Sequence, residues 1–189
     1  MLKKVYAEAL TTINAAKYCI LIVFIVYFGA CAAGWFYHDD LSFFKEPVNQ
    51  LIEGFKDRNT VTFISKLMMR NLIAAYLTTC LISLWGLIPA VATTVNGLLL
   101  GWIIANASGM SPSMLLVLLI PHGILELPAA FIGWGVGIWK GFGYRFTSQT
   151  TNYQGRFIKA NIVYFTVILP LLLIAAIIEG RYHIYKEFF

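Results

Sequence analysis

Leu115 to Gly135 reads LLVLLIPHGILELPAAFIGWG, a run of helical length whose ionisable side chains are His122 and Glu126 alone. Eighteen or more consecutive apolar residues are a transmembrane signal, since about 20 residues of helix cross a hydrocarbon core of roughly 30 Å. The two exceptions carry the information. A charge at the bilayer centre costs at least ~2.5 kcal/mol on insertion scales, so something must compensate His122 and Glu126. Their i, i+4 spacing puts both on one helix face, and that face is expected to turn toward other helices rather than lipid.

The rest of the chain extends this reading. It has 189 residues, 59% hydrophobic and 12% charged, with a mean hydropathy of +0.74. A soluble domain carries roughly twice that charge fraction, so a water-soluble globule is excluded. The apolar residues arrive in blocks of helical length with ordinary glycine and proline totals, which also excludes disorder and collagen-like repeats. The formal charge of +5 is spread between apolar blocks, the pattern of a protein meeting anionic lipid rather than nucleic acid. Cys19, Cys31 and Cys80 lie inside apolar blocks without C-x-x-C spacing and read as buried free thiols.

Five spans are expected, at 18–37, 72–88, 91–107, 113–139 and 160–178, forming one all-α polytopic membrane bundle over residues 1–189. The first reads as a retained anchor rather than a cleaved signal. Pro89 ends the second span almost where the third begins, which predicts a tight hairpin or a broken element there. The fourth is too long to cross untilted. Pro121 and Pro128 within it predict tilting, kinking or interruption, and Pro170 is a kink candidate in the fifth.

Segment 38–70 is polar and amphipathic, with Phe44, Val48, Leu51, Ile52 and Phe55 at helical spacing after a turn at Pro47. It is expected to lie along the membrane surface, with a second short helix from Thr60 capped by Asn59. Lysines and arginines divide seven against seven between the two sides. The four bases from Lys140 to Lys159, with no acid among them, put the N-terminus in the cytoplasm of a multi-pass cell-membrane protein.

Partners for the intramembrane pair are sought among Asn96, Asn106, Asn71 and Glu179. The set His122, Glu126, Asn96, Asn71 and Glu179 is either a polar network that locks helices or a site for an ion, proton or substrate. No metal or cofactor is expected: zinc would need further ligands, His38 and His183 lie at membrane edges, and H-E-x-x-H is absent. Ser108, Ser111 and Ser113 are explained by a turn, so no catalytic residue is assigned. Gly97 and Gly101, followed by Ala105 and Gly109, and then Gly133, Gly137 and Gly141, recur every fourth position. They mark faces for close helix packing, within one protomer or at a homodimer seam. The tryptophans fit interfacial belts where they fall at span ends, which Trp102 and Trp134 do not.

Asn71 ahead of a span, Pro89, N-G-L-L-L-G from Asn96 to Gly101, P-H-G-I-L-E-L-P-A from Pro121 to Ala129, and I-E-G from Ile178 to Gly180 together resemble the stage II sporulation protein M family. The resemblance covers roughly Met69 to Gly180, and where the family pattern often has two asparagines this chain has Arg70 and Asn71. It implies a five-span protein of bacterial or archaeal cell membranes with no established reaction. The family's name-giving member belongs to a membrane complex with cell-wall hydrolases. A docking or assembly component of a membrane complex is therefore the first reading, with lipid and other membrane or cell-envelope proteins as partners. A small transporter or channel lined by His122, Glu126 and Asn96 is the alternative. An intramembrane hydrolase using Glu126 as base beside His122 is the weaker one.

Overall fold

The computed structural model describes residues 2–56, 60–81, 84–107, 112–146 and 152–187, and side chains over 2–50, 65–66, 68–81, 84–107, 123–145 and 152–178. Among the described residues seven α-helices follow in order: α1 (Leu2–Phe36), α2 (Lys45–Lys56), α3 (Thr60–Tyr76), α4 (Leu87–Asn106), α5 (Pro112–Gly141), α6 (Tyr153–Val163) and α7 (Leu169–Glu187). No described residue is in a strand. Three of the described helical runs are long and apolar enough to cross a bilayer: Leu2–Phe36, Leu84–Asn106 and Tyr153–Ile178.

The sequence underestimates helix length. The 35 residues of α1 begin far ahead of Tyr18, because Ala9, Thr12 and Ala16 form a small-residue stripe that packs on α6. The short helix expected at Thr60 and the second span are one element, α3, carried on by a π-helical turn at Leu77–Leu81. Asn59 lies outside the described residues. A second π-helical turn, Tyr164–Ile168, joins α6 to α7 just ahead of Pro170. A wider turn there absorbs the proline's missing donor and its clash with the preceding turn, so the helical run continues through it. Pro121 and Pro128 lie inside α5, which runs uninterrupted from Pro112 to Gly141.

The break expected at Pro89 is displaced. The chain turns at Leu84–Gly86, where Leu84 (φ 34°), Trp85 (φ 58°) and Gly86 (φ 91°) enter the left-handed region. For leucine and tryptophan that conformation is strained, and it is held by the packing of α5 around it. Gly86 caps α4 and Pro89 falls in its first turn, where a residue without an N–H costs nothing because that donor would have no helical partner.

The helices pack through glycine. A Cβ at Gly97 would collide with the Tyr27 carbonyl, one at Gly101 with that of Cys31, and one at Gly34 with that of Leu98, so α1 and α4 lie side by side in the same direction with backbones touching. α5 is the central post. Its Gly133 faces Thr79 Oγ1, Gly137 the Thr78 carbonyl and the Pro89 ring, and Gly141 the backbone of Trp85 and Gly86. Gly97, Gly101, Gly133, Gly137 and Gly141 are thus covered within this one chain, and Gly109 lies outside the described residues. Ala129, Val136 and Trp139 of α5 meet Ala160, Val163, Tyr164 and Ile168 in the larger core, and Tyr27, Phe131 and Trp134 form a smaller aromatic one. Trp139 is fully buried rather than interfacial, whereas Trp85 is 85% exposed.

Candidate functional site: a polar cleft between α3 and α4

The turn at Leu84–Gly86 joins α3 and α4 at one end, and from there they diverge. Among the described residues α3 packs on α7 while α4 packs on α1, leaving α5 to floor the gap between them. A cavity of about 220 Å³ fills this gap, walled by Asn71, Ala74, Ala75 and Thr78 of α3 and by Ala92 and Asn96 of α4. Its floor is Glu126, Leu127, Ala130, Gly133 and Trp134 of α5, with Tyr27 and Leu172 at its sides. The two walls are mostly small side chains, and polar groups converge on the cavity from three helices.

Asn71 Nδ2 donates to Glu126 Oε1 at 3.2 Å, joining α3 to α5. Asn96, the leading partner expected from sequence, lines the same cavity, but its Nδ2 donates to the Ala92 carbonyl of its own helix at 2.8 Å. Asn106 does likewise, to Trp102 O at 2.9 Å, and lies away from the cleft. The backbones of His122 and Glu179 are helical, in α5 and α7, and their side chains lie outside the described set. Asn71, Asn96 and Glu126 are therefore the predicted residues that the described structure brings together.

Two tyrosines hold the α3 wall in place. Tyr164 Oη donates to the Leu72 carbonyl at 2.9 Å and Tyr76 Oη to Asn161 Oδ1 at 3.1 Å, their rings 4.9 Å apart. Below the cleft lies a second polar centre that the sequence reading treated only as flanking charge. Lys140 is fully buried and its Nζ donates to the Cys80 carbonyl. The acceptor belongs to the last turn of the α3 run, where carbonyls lack helical partners and a cation is favoured. Arg156, 6% exposed, donates from Nε to the Lys140 carbonyl at 3.0 Å and stacks 3.5 Å from the centre of the Tyr144 ring. The side-chain hydrogen bond with Arg145, helped by the charges of Arg145 and Arg156, holds the Tyr144 phenol below its ordinary pKa. A signal for Lys140 was present: it sits seven residues after Gly133 and three after Gly137, on the same close-packed helix face. Among the described residues no three His, Cys, Asp or Glu side chains gather.

The family model described as Stage II sporulation protein M matches residues 19–182, from the middle of α1 through every residue of the cleft. The chain belongs to the stage II sporulation protein M family. With three long apolar helices, that membership makes it a membrane protein. Comparison with curated proteins and with solved structures gave no match. The matched region includes the P-H-G-I-L-E-L-P-A motif, and in this fold the motif supplies the floor of the cleft through Glu126 and Leu127.

Proposed function

We propose that this member of the stage II sporulation protein M family is a five-span protein of the cell membrane that docks another membrane polypeptide at the α3/α4 cleft and so serves as an assembly component. The spans are α1, α3 with its π-helical turn, α4, α5, and α6 with α7, and the N-terminus is cytoplasmic. α2 lies along the opposite surface, anchored by Phe44, which is buried near the Trp102 ring.

The observation that carries the reading is the cleft. Counting from the turn at 1.5 Å per residue, Asn96 stands about 15 Å along α4 and Glu126, from Gly141, about 22 Å along α5. Within a core of roughly 30 Å these groups sit in the hydrocarbon, where a carboxylate and amides left facing lipid are costly. Small walls beside polar groups at that depth suit close approach of another membrane helix, which gains packing and hydrogen bonds together. Against a transport pathway stands the packing beneath the cleft, where Gly137 and Gly141 touch neighbouring backbone too closely for a methyl group.

The test is to fill the cleft. Ala92→Trp is expected to keep the folded yield in detergent while displacing the polypeptide that co-purifies from native membranes, whether a differently tagged copy or another protein. Unchanged co-purification would defeat the reading.

A further inference from the structure

We propose that Arg145 and Arg156, which meet at Tyr144 between the end of α5 and the start of α6, hold the phosphodiester headgroup of an anionic phospholipid whose acyl chain lies along α6. This site shares no residue with the α3/α4 cleft and stands independently of the docking reading. Arg156 is buried, fixed by its Nε bond to the Lys140 carbonyl and stacked 3.5 Å from the centre of the Tyr144 ring. Arg145 is exposed, hydrogen-bonded to the Tyr144 phenol oxygen and 5.6 Å from the Phe142 ring. Two guanidiniums thus converge on one phenol, and from Lys140 to Lys159 the chain carries four bases and no acid. Like charges brought this close repel, and an anion set between them turns the repulsion into attraction. The lowered pKa of the Tyr144 phenol reports the same positive potential. A guanidinium takes phosphate through paired N–H donors, and the exposed Arg145 is free to aim them.

The depth suits a headgroup. Arg145 follows the last turn of α5 and Arg156 lies in the first turn of α6, so both stand at helix ends, where basic pockets between membrane helices take anionic headgroups. Tyr153, 53% exposed, lies 5.8 Å from the Arg156 guanidinium, the placement of a tyrosine at a membrane interface. On the α1 side Gly143 abuts Cys19, and two residues earlier the exposed Lys17 sits over the Tyr18 ring, bringing a further base to this end of the bundle.

The neighbouring surface selects a lipid over a free phosphate compound. One residue after Arg156, Phe157 begins an apolar groove of about 290 Å³ that continues past Ile158, Ile162 and Phe165 with Val5 of α1 at its side. From position 157 to 166 it follows the helix for about 14 Å, away from the charged end and into the Tyr153–Ile178 span. Its two polar side chains are turned to the helix backbone, Asn161 donating to the Phe157 carbonyl and Thr166 to that of Ile162. Such a groove offers an acyl chain contact and a bare phosphate nothing.

The experiment titrates the full chain, freed of lipid in a neutral detergent, with phosphatidylglycerol or phosphatidylcholine and counts bound lipid by native mass spectrometry. A base beside an anionic headgroup contributes roughly a fivefold preference, so wild type should bind its first phosphatidylglycerol about 20-fold more tightly than phosphatidylcholine. Arg145→Gln, which alters an exposed side chain and leaves the buried Arg156 in place, should cut that preference roughly fivefold, whereas Arg145→Lys should keep most of it. Lys45→Gln, which removes the same charge from an exposed position in α2, should leave it unchanged. Inorganic phosphate and glycerophosphoglycerol, which carry the phosphate without acyl chains, should fail to displace the lipid at matched concentration. Equal binding of the two lipids by wild type, or an Arg145→Gln variant with the wild-type preference, overturns the site. A Lys45→Gln variant that loses as much as Arg145→Gln reduces the effect to net charge and overturns it too. Displacement by either chainless phosphate overturns the assignment to a lipid.

Discussion

Replacing glycine by alanine at two places in the α1/α4 pair should move stability in opposite directions. Gly29 of α1 has no heavy atom within 4 Å of the position its Cβ would take, whereas a Cβ at Gly101 of α4 would collide with the Cys31 carbonyl and crowd the Trp35 amide. At Gly29 the methyl meets open space, and the gain is the helix propensity of alanine over glycine, up to ~1 kcal/mol. At Gly101 the clash is with backbone, which no rotamer change relieves, so the helices must part by about 1 Å. A gap of that size forfeits up to half of each contact across the seam, and overpacking of this kind costs ~1–3 kcal/mol. The seam also holds Gly34 and Gly97, so a local bulge cannot absorb the shift. Unfolding in mixed micelles titrated with a denaturing detergent, followed by tryptophan fluorescence, should separate the variants by roughly 1–4 kcal/mol. If Gly101→Ala proved as stable as Gly29→Ala, the backbone contact between α1 and α4 would be wrong.

Three further outcomes follow from the polar centres and from α2. Glu126→Ala should lower the thermal midpoint in detergent by stranding Asn71, at a cost of about 0.6–1.7 kcal/mol, whereas Glu126→Gln should be milder because an amide oxygen still accepts from Asn71; equal effects would deny the bond a structural role. Lys140→Ala should destabilise more than Lys140→Met in the same assay, since both remove the donor to Cys80 but methionine refills the buried stem, and the reverse order would mean the stem is not packed. A spin label at the exposed Phe43 should show the oxygen access of a lipid interface, while free-solvent mobility would remove the surface placement of the α2 region.

What the sequence disclosed is what hydrophobic blocks and costly residues disclose. Block length revealed a helical membrane protein, and the cost of a carboxylate inside an apolar block singled out Glu126. The turn was misplaced because proline is the loudest breaker in a sequence. Pro89 instead occupies a harmless first turn, and the break falls on Leu84 and Trp85, whose left-handed backbone is imposed by tertiary packing and has no local signature. Helix ends were misjudged at α1 and α3 because helices continue beyond the apolar block wherever another helix covers them. Asn71 rather than Asn96 as the donor to Glu126 depends on the divergence of α3 from α4, which no spacing rule encodes. Lys140 and Arg156 were read as flanking charge because composition counts cations without showing that helix-end carbonyls and an aromatic ring can bury them.

Photo-crosslinking in native membranes tests the central claim, a cleft occupied by a polypeptide, most directly. A benzophenone side chain placed at Asn96, which lines the cleft, is compared with one at Ile22, an exposed apolar position on α1. The account predicts a protein adduct from Asn96, mapped by mass spectrometry to a membrane helix, and lipid adducts from Ile22. Lipid adducts from both positions, with no protein adduct from Asn96, would contradict it.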